Sequence, residues 1–232
     1  MLDASKAHRP VAFFLHGIGD ALLVLPALRA LSEIFRGRLT FICERPIYDL
    51  FFRKLALRRV ICLEPERLNA GDRQEARLAI FDSDRIASRV GSCDLFLSLV
   101  PWRSRYLDRL IDLLAPGLTA GLAHGFDITL PRRQDLHAFD HAFELATLFD
   151  PFLALERFAG PPELDAEAAD QAKKIASMLP GSSRILAVHN ETRRDKVLPP
   201  DHLRSALQSF VRKHRNYWAL ILDSCRCPLD DE

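Results

Sequence analysis

Two stretches, His16-Gly-Ile-Gly-Asp20 and Thr192-Arg-Arg-Asp-Lys196, hold the residue types best suited to chemistry in this chain. Asp20 follows two glycines and precedes a run with Leu22, Leu25, Leu28, Ala30, Leu31 and Ile34 at helical spacing. That pattern predicts a carboxylate in the first turn of a helix, at the C-terminal edge of a parallel sheet, where open α/β folds collect ligands. A helix dipole favours an ionised carboxylate there, suited to act as a base or to accept hydrogen bonds from sugar hydroxyls. The glycines are expected to give a tight strand-to-helix turn through positive φ. The plainer alternative for Asp20 is a helix N-cap with no chemical part. The second stretch sets Thr192, Arg193, Arg194 and Lys196 between a predicted strand and a helix that opens on Pro199-Pro200. A hydroxyl and cations ahead of a helix N-terminus suit a phosphate. A solvated charged loop is the alternative.

Softer candidates sit at the ends of other predicted strands. Arg45 follows the second strand, and Arg103 and Arg105 follow the fourth, with Trp102 beside them as a surface on which a sugar ring can stack. Arg132 and Arg133 add two cations further on. An Arg grips phosphate or carboxylate bidentately, so such groups suit an anionic acceptor, while a solvated face is the alternative for each. His16 and His189 either line a ligand edge or pack in the core. Gly17-Ile-Gly19, with Glu44 at the end of the next strand, also matches part of a dinucleotide fingerprint, which keeps an NAD-binding Rossmann protein open as a reading. Against it, Leu22 holds the third glycine position and Asp20 would oppose a pyrophosphate. Cys225-Arg-Cys227 is too closely spaced for the usual zinc pair, so neither metal nor cofactor is expected.

The elements that must position these residues alternate along the chain. Strands are predicted at 11–15, 39–43, 59–63, 93–99, 120–123, 184–189 and 217–222. Helices are predicted at 21–35, 47–55, 74–80, 83–90, 105–114, 137–149, 166–179 and 200–214. A less regular stretch covers 126–133, and Pro161-Pro162 marks 157–164 as a linker. This is the pattern of a doubly wound α/β protein with two units, 1–160 and 161–232, the second with barely two strands. The open edge of the strand at 217–222 predicts association with another copy or another chain.

Composition bounds the class. The 232 residues are 48% hydrophobic and 27% charged, ordinary for a soluble globular protein. A net charge of +1 argues against nucleic-acid binding by bulk electrostatics. Cys43, Cys62 and Cys93 lie in apolar runs, the pattern of reduced, buried thiols. The first residues lack a leader pattern and no apolar run reaches the ~18 residues of a membrane span. A cytoplasmic protein is the expectation.

Together the two chemical stretches resemble glycosyltransferase family 9, the ADP-heptose:lipopolysaccharide heptosyltransferases. Gly19-Asp20-Ala-Leu-Leu-Val-Leu-Pro26-Ala-Leu-Arg29-Ala-Leu31 follows the family's first signature. Thr192-Arg-Arg-Asp195-Lys196-Val-Leu-Pro199-Pro-Asp-His202 follows its second, with Leu198 where the family usually has Trp. His137-Ala-Phe-Asp-His141 is a weaker match to the segment that leads into the last helix of the first domain. The resemblance implies a GT-B fold whose 1–160 domain meets the acceptor and whose 161–232 domain meets a nucleotide sugar, with an inverting reaction in the cleft and no active-site metal. It implies Asp20 as general base, and Lys196, Thr192 and Arg193 on the donor phosphate. Gly19, Arg45, Trp102, Arg103 and Arg105 fall on the acceptor side. The implied partners are an ADP-heptose-like donor and a lipopolysaccharide or other anionic glycan acceptor, which suits a protein at the inner face of the inner membrane. The family's later donor-binding strands have no counterpart before Glu232. A piece of a larger enzyme, a partner-completed enzyme and a non-catalytic glycan-binding module are therefore all open readings.

Overall fold

The computed structural model describes residues 1–63, 82–130, 133, 135–163, 165–181, 183–189 and 198–221. Strand β1 (Pro10–Phe13) is apolar and buried at every position, as a strand of a parallel sheet covered on both faces must be. It pairs in parallel with β2 (Thr40–Glu44) on one edge and β4 (Leu95–Ser98) on the other. Beyond β2 lies β3 (Arg59–Leu63), and beyond β4 lie β5 (Leu118–Gly121) and β6 (Ile128–Thr129). The order β3-β2-β1-β4-β5-β6, parallel throughout, reverses direction between β1 and β4. In such sheets the ligand crevice opens at the carboxyl ends of the strands at that reversal.

Helix α1 (Ile18–Ile34) follows β1 and buries Ala21, Val24, Leu25, Ala27, Leu28 and Leu31 in the core. It starts three residues before the predicted helix, because Gly17 in extended backbone already serves as its N-cap. Pro26 lies inside it, buried, and its missing N–H leaves the carbonyl of Leu22 without an intrahelical partner. Leu22 is 39% exposed, so water can reach that turn. The predicted 47–55 helix is a single turn, α2 (Arg45–Ile47), running into a wide π turn at Tyr48–Phe52. Helix α3 (Ser83–Val90) is capped by Asp82, and α4 (Arg105–Leu114) by Ser104. Helix α5 (Ala138–Thr147) packs along α1. The predicted helix at 74–80 lies outside the described residues.

Strand β6 falls inside the stretch that the sequence reads as irregular. A tertiary contact sets it: Asp127 Oδ2 accepts from the backbone N–H and the hydroxyl of Thr119 in β5, at 2.8 and 2.7 Å. Those two donors hold the Asp127 carboxyl below its ordinary range. Cys43, Cys62 and Cys93 are buried free thiols, and burial pushes Cys93 up to about 12. Among the described residues no helix is long and apolar enough to cross a membrane.

The described residues divide into two compact units, one reaching residue 163 and one spanning 165–221. In the second, α7 (Ala166–Ser177) is capped by Asp165, and β7 (Arg184–Val188), α8 (Pro200–Lys213) and β8 (Tyr217–Ile221) follow. Strands β7 and β8 pair in parallel. In the first unit, Arg29 of α1 anchors the chain just after α6 (Leu155–Phe158). Its Nη1 donates to the carbonyls of Phe158 and Gly160, each at 2.9 Å, and its Nη2 to that of Pro161 at 2.7 Å. Glu33 pairs with Arg157, and Lys54 with Glu163 at 2.8 Å.

Substitutions at two positions test these supports. Arg29→Ala is expected to cost about 1–3 kcal/mol of unfolding free energy, because three carbonyls lose a charged donor. Arg29→Lys is expected to recover little, since an ammonium cannot span three carbonyls as the planar fork does. Urea denaturation of the three proteins measures both. At Gly121 an added Cβ would meet Phe126 ring carbons at 2.5 and 2.6 Å. Phe126 is buried and lies under the Arg103 guanidinium, 4.6 Å from its ring centroid. Gly121→Ala is therefore expected to destabilise by about 1–3 kcal/mol as an overpacked core site, read from the thermal midpoint.

Candidate functional site

At the reversal between β1 and β4 the chain leaves β1 through Phe14 and Leu15, both buried, and reaches His16. Gly17 is the N-cap of α1 and brings no side-chain cap, so Ile18, Gly19 and Asp20 form the first turn. Asp20 is thus the third helical residue, and the N-cap alternative is set aside. Its Oδ2 faces Nδ1 of His16, an i,i+4 pair whose side chains are 44% and 29% exposed. The Gly17 N–H also reaches that ring nitrogen, at 3.0 Å.

The two glycines do not act as the sequence suggests. Gly17 has φ −69°, and Gly19 is not among the residues with positive φ. A left-handed turn is not needed because the helix begins directly after the extended Gly17. What the glycines supply is room. A Cβ on Gly19 would meet nothing within 4 Å, and one on Gly17 would lie 3.6 Å from Asp20 Oδ2. The helix N-terminus is therefore bare beside the carboxylate.

The other sequence candidates divide by what already holds them. Arg45 opens α2 at the end of β2 and is exposed. Trp102 follows β4 with its ring edge-on to Phe13, the centroids 6.3 Å apart, so the indole packs on the end of β1. Its Nε1 is buried without a hydrogen-bond partner. Arg103 is taken up within the unit: Nε donates to Asp108 at 2.7 Å, Nη1 to the carbonyl of Gly125, and the cation covers Phe126. Arg105 is exposed beside Tyr106, with Nη2 2.7 Å from the phenol oxygen. Arg133 pairs with Asp135 at 2.6 Å, which raises its guanidinium above the ordinary value. His189 is exposed at the end of β7, which excludes the packed-core reading for it. Thr192, Arg193, Arg194, Lys196 and Arg132, like Cys225 and Cys227, lie outside the described residues. The pairing of His16 with Asp20 was not anticipated; its signal is the i,i+4 spacing across the start of a helix.

No protein-family model matches the sequence, and a search of curated proteins gives no match. Solved structures do match. A family 9 glycosyltransferase from Veillonella parvula superposes with a TM-score of 0.66 at 17% identity, over 92% of this chain and 62% of its own. The Escherichia coli heptosyltransferase WaaC, solved with ADP-2-deoxy-2-fluoro heptose, gives 0.56 at 16% identity over 95% of this chain and 70% of its own. Heptosyltransferase II from the same organism gives 0.55 at 12% identity, over 92% and 63%. The chain spans less than two thirds of the length of the first and the third of these proteins. It shares the fold of the family 9 glycosyltransferases, a doubly wound α/β architecture of GT-B type.

Proposed function

We propose that this chain is a glycosyltransferase polypeptide that moves a sugar from a nucleoside-diphosphate sugar to a hydroxyl of an anionic glycan, with inversion. The observation that carries this reading is the placement of Asp20: a half-exposed carboxylate, not used as a cap, at the sheet reversal beside a bare helix N-terminus. The likeness to solved heptosyltransferases, one of them bound to an ADP-heptose analogue, supports an ADP-heptose-like donor. A nicotinamide dinucleotide suits the same turn less well, because its pyrophosphate would meet the Asp20 charge where the fingerprint has a neutral turn.

On this reading residues 1–160 take the acceptor and 161–232 take the nucleotide sugar. The acceptor hydroxyl approaches over Gly19, and its oxygen attacks the anomeric carbon from the face opposite the diphosphate. The new C–O bond forms as the bond to the phosphate oxygen breaks. Asp20 takes the hydroxyl proton. The negative charge that develops on the departing nucleoside diphosphate is met by Lys196, with Thr192 and Arg193 as further donors. Arg45 and Arg105, exposed at the same edge, suit the anionic groups of a glycolipid acceptor such as lipopolysaccharide.

Transfer from ADP-heptose to a truncated lipopolysaccharide acceptor tests the reading. Asp20→Asn is expected to lower kcat by about 10²- to 10⁴-fold with the fold intact. A wild-type rate for that variant removes Asp20 as the base. Lys196→Ala is expected to act mainly on donor use, raising its KM. Retention at the anomeric centre, read by NMR of the product, overturns the single displacement. Gly19→Ala separates room from folding, since its Cβ enters open space. The expected result is an unchanged or higher thermal midpoint, because Ala is the better helix former by up to about 1 kcal/mol, with weaker acceptor use.

A further inference from the structure

His16 has no assigned part in the reaction proposed above, yet it is the residue that touches the base. A ring nitrogen presents one in-plane position, either an N–H or a lone pair. Oxygen lone pairs of a carboxylate repel a nitrogen lone pair at close range, so the contact between Nδ1 and Oδ2 is favourable only with a proton on one of the two atoms. An anionic carboxylate is favoured at the N-terminus of α1, which leaves that proton on the nitrogen. The Gly17 N–H defines the competing state. The structure holds its bond, Gly17 N–H to Nδ1 at 3.0 Å; in that state Nδ1 is bare, the proton sits on Nε2, and the ring has no donor for Asp20.

The remaining atoms fit a divided task. Asp20 Oδ1 has no partner among the described residues, so one carboxylate oxygen is held while the other is open to a hydroxyl. The His16 ring lies beside that of buried Phe14, the centroids 6.4 Å apart and the planes tilted by 32°. Exposed i,i+4 pairs contribute little to stability. A structural purpose therefore explains this contact poorly, and orientation of the carboxylate explains it well.

We propose that His16 is the positioning residue of the base: its Nδ1–H donates to Asp20 Oδ2, fixing the carboxylate with Oδ1 toward the acceptor hydroxyl. This rests on the sugar-transfer reading for its kinetic consequence but not for the pairing, and the test separates the two. Long-range ¹H–¹⁵N NMR of the full chain, with the ring in its neutral form, is expected to show His16 as the Nδ1–H tautomer. In Asp20→Ala the proton is expected to move to Nε2, with Gly17 donating to the bare Nδ1. A wild-type His16 protonated on Nε2 overturns the proposal whatever the chain transfers.

In the transfer assay, His16→Ala is expected to lower kcat about 10- to 100-fold, the cost of a misplaced reacting group. Its donor KM is expected to stay close to that of the wild type, and its thermal midpoint within about 4 °C. His16→Asn, whose amide nitrogen occupies the place of Nδ1, is expected to restore most of the rate, and His16→Gln is not. Equal rates for His16→Ala and the wild type overturn the positioning role, as does an Asn variant no better than Ala. A wild type with the Nδ1–H signature that transfers from no nucleotide sugar overturns the sugar-transfer reading and the kinetic role together, and leaves the pairing standing.

Discussion

Strand β1 is four residues long and hydrogen-bonded along both edges, to β2 and to β4. That double pairing fixes the chain at the centre of the sheet, and everything at the site is referred to it. The register sets Phe13 opposite Ile42 on one side and Ser98 on the other, so the three strands end at nearly one level. The residues that follow β1, β2 and β4 are thereby gathered at a single edge. His16 and Asp20 come from the first, Arg45 from the second, Trp102 and Arg103 from the third. A slip of one residue in β1 would exchange the two faces of its side chains and displace this gathering as well.

Helix α1 carries the same constraint away from the sheet. Its buried stripe ties it to the core, its first turn holds Asp20, and its second half holds Arg29 and Glu33. The segment that leads out of the first unit is therefore fastened to the helix that presents the carboxylate. This accounts physically for the Arg in the leucine, proline and arginine run after Asp20. An Arg at that position meets three backbone carbonyls at once, and a shorter or unforked side chain could not.

Most strands were legible in the sequence because each is a short apolar run, and β3 and α3 were placed to the residue. What was not legible depends on contacts distant in sequence. Strand β6 is two residues long and exists by virtue of the Asp127–Thr119 bonds, which no periodicity reveals. The glycines at 17 and 19 were rightly singled out and wrongly explained, since composition cannot distinguish a need for positive φ from a need for space. Arg103 read either as an acceptor contact or as a solvated cation, and tertiary structure gives it Asp108, the Gly125 carbonyl and the Phe126 ring. The place of Asp20 in the first turn of α1 was legible, because the apolar strand, the two glycines and the helical spacing that follows bracket the start of that helix. The part of His16 was not, because its pairing depends on the exact residue at which α1 begins.

A carboxylate, with an ordinary value of about 4, is far too weak to deprotonate an unactivated alcohol outright. On the proposed reading the hydroxyl proton is therefore taken while the new C–O bond is already forming and the oxygen has become acidic. That timing puts the larger demand on departure of the diphosphate, where charge accumulates earliest, and on geometry at the base, which must be in place when the proton becomes labile. An orienting partner then matters more than a stronger base. A histidine one helical turn before Asp20, beside the Phe14 ring at the end of the central strand β1, is the means this fold has for supplying that orientation.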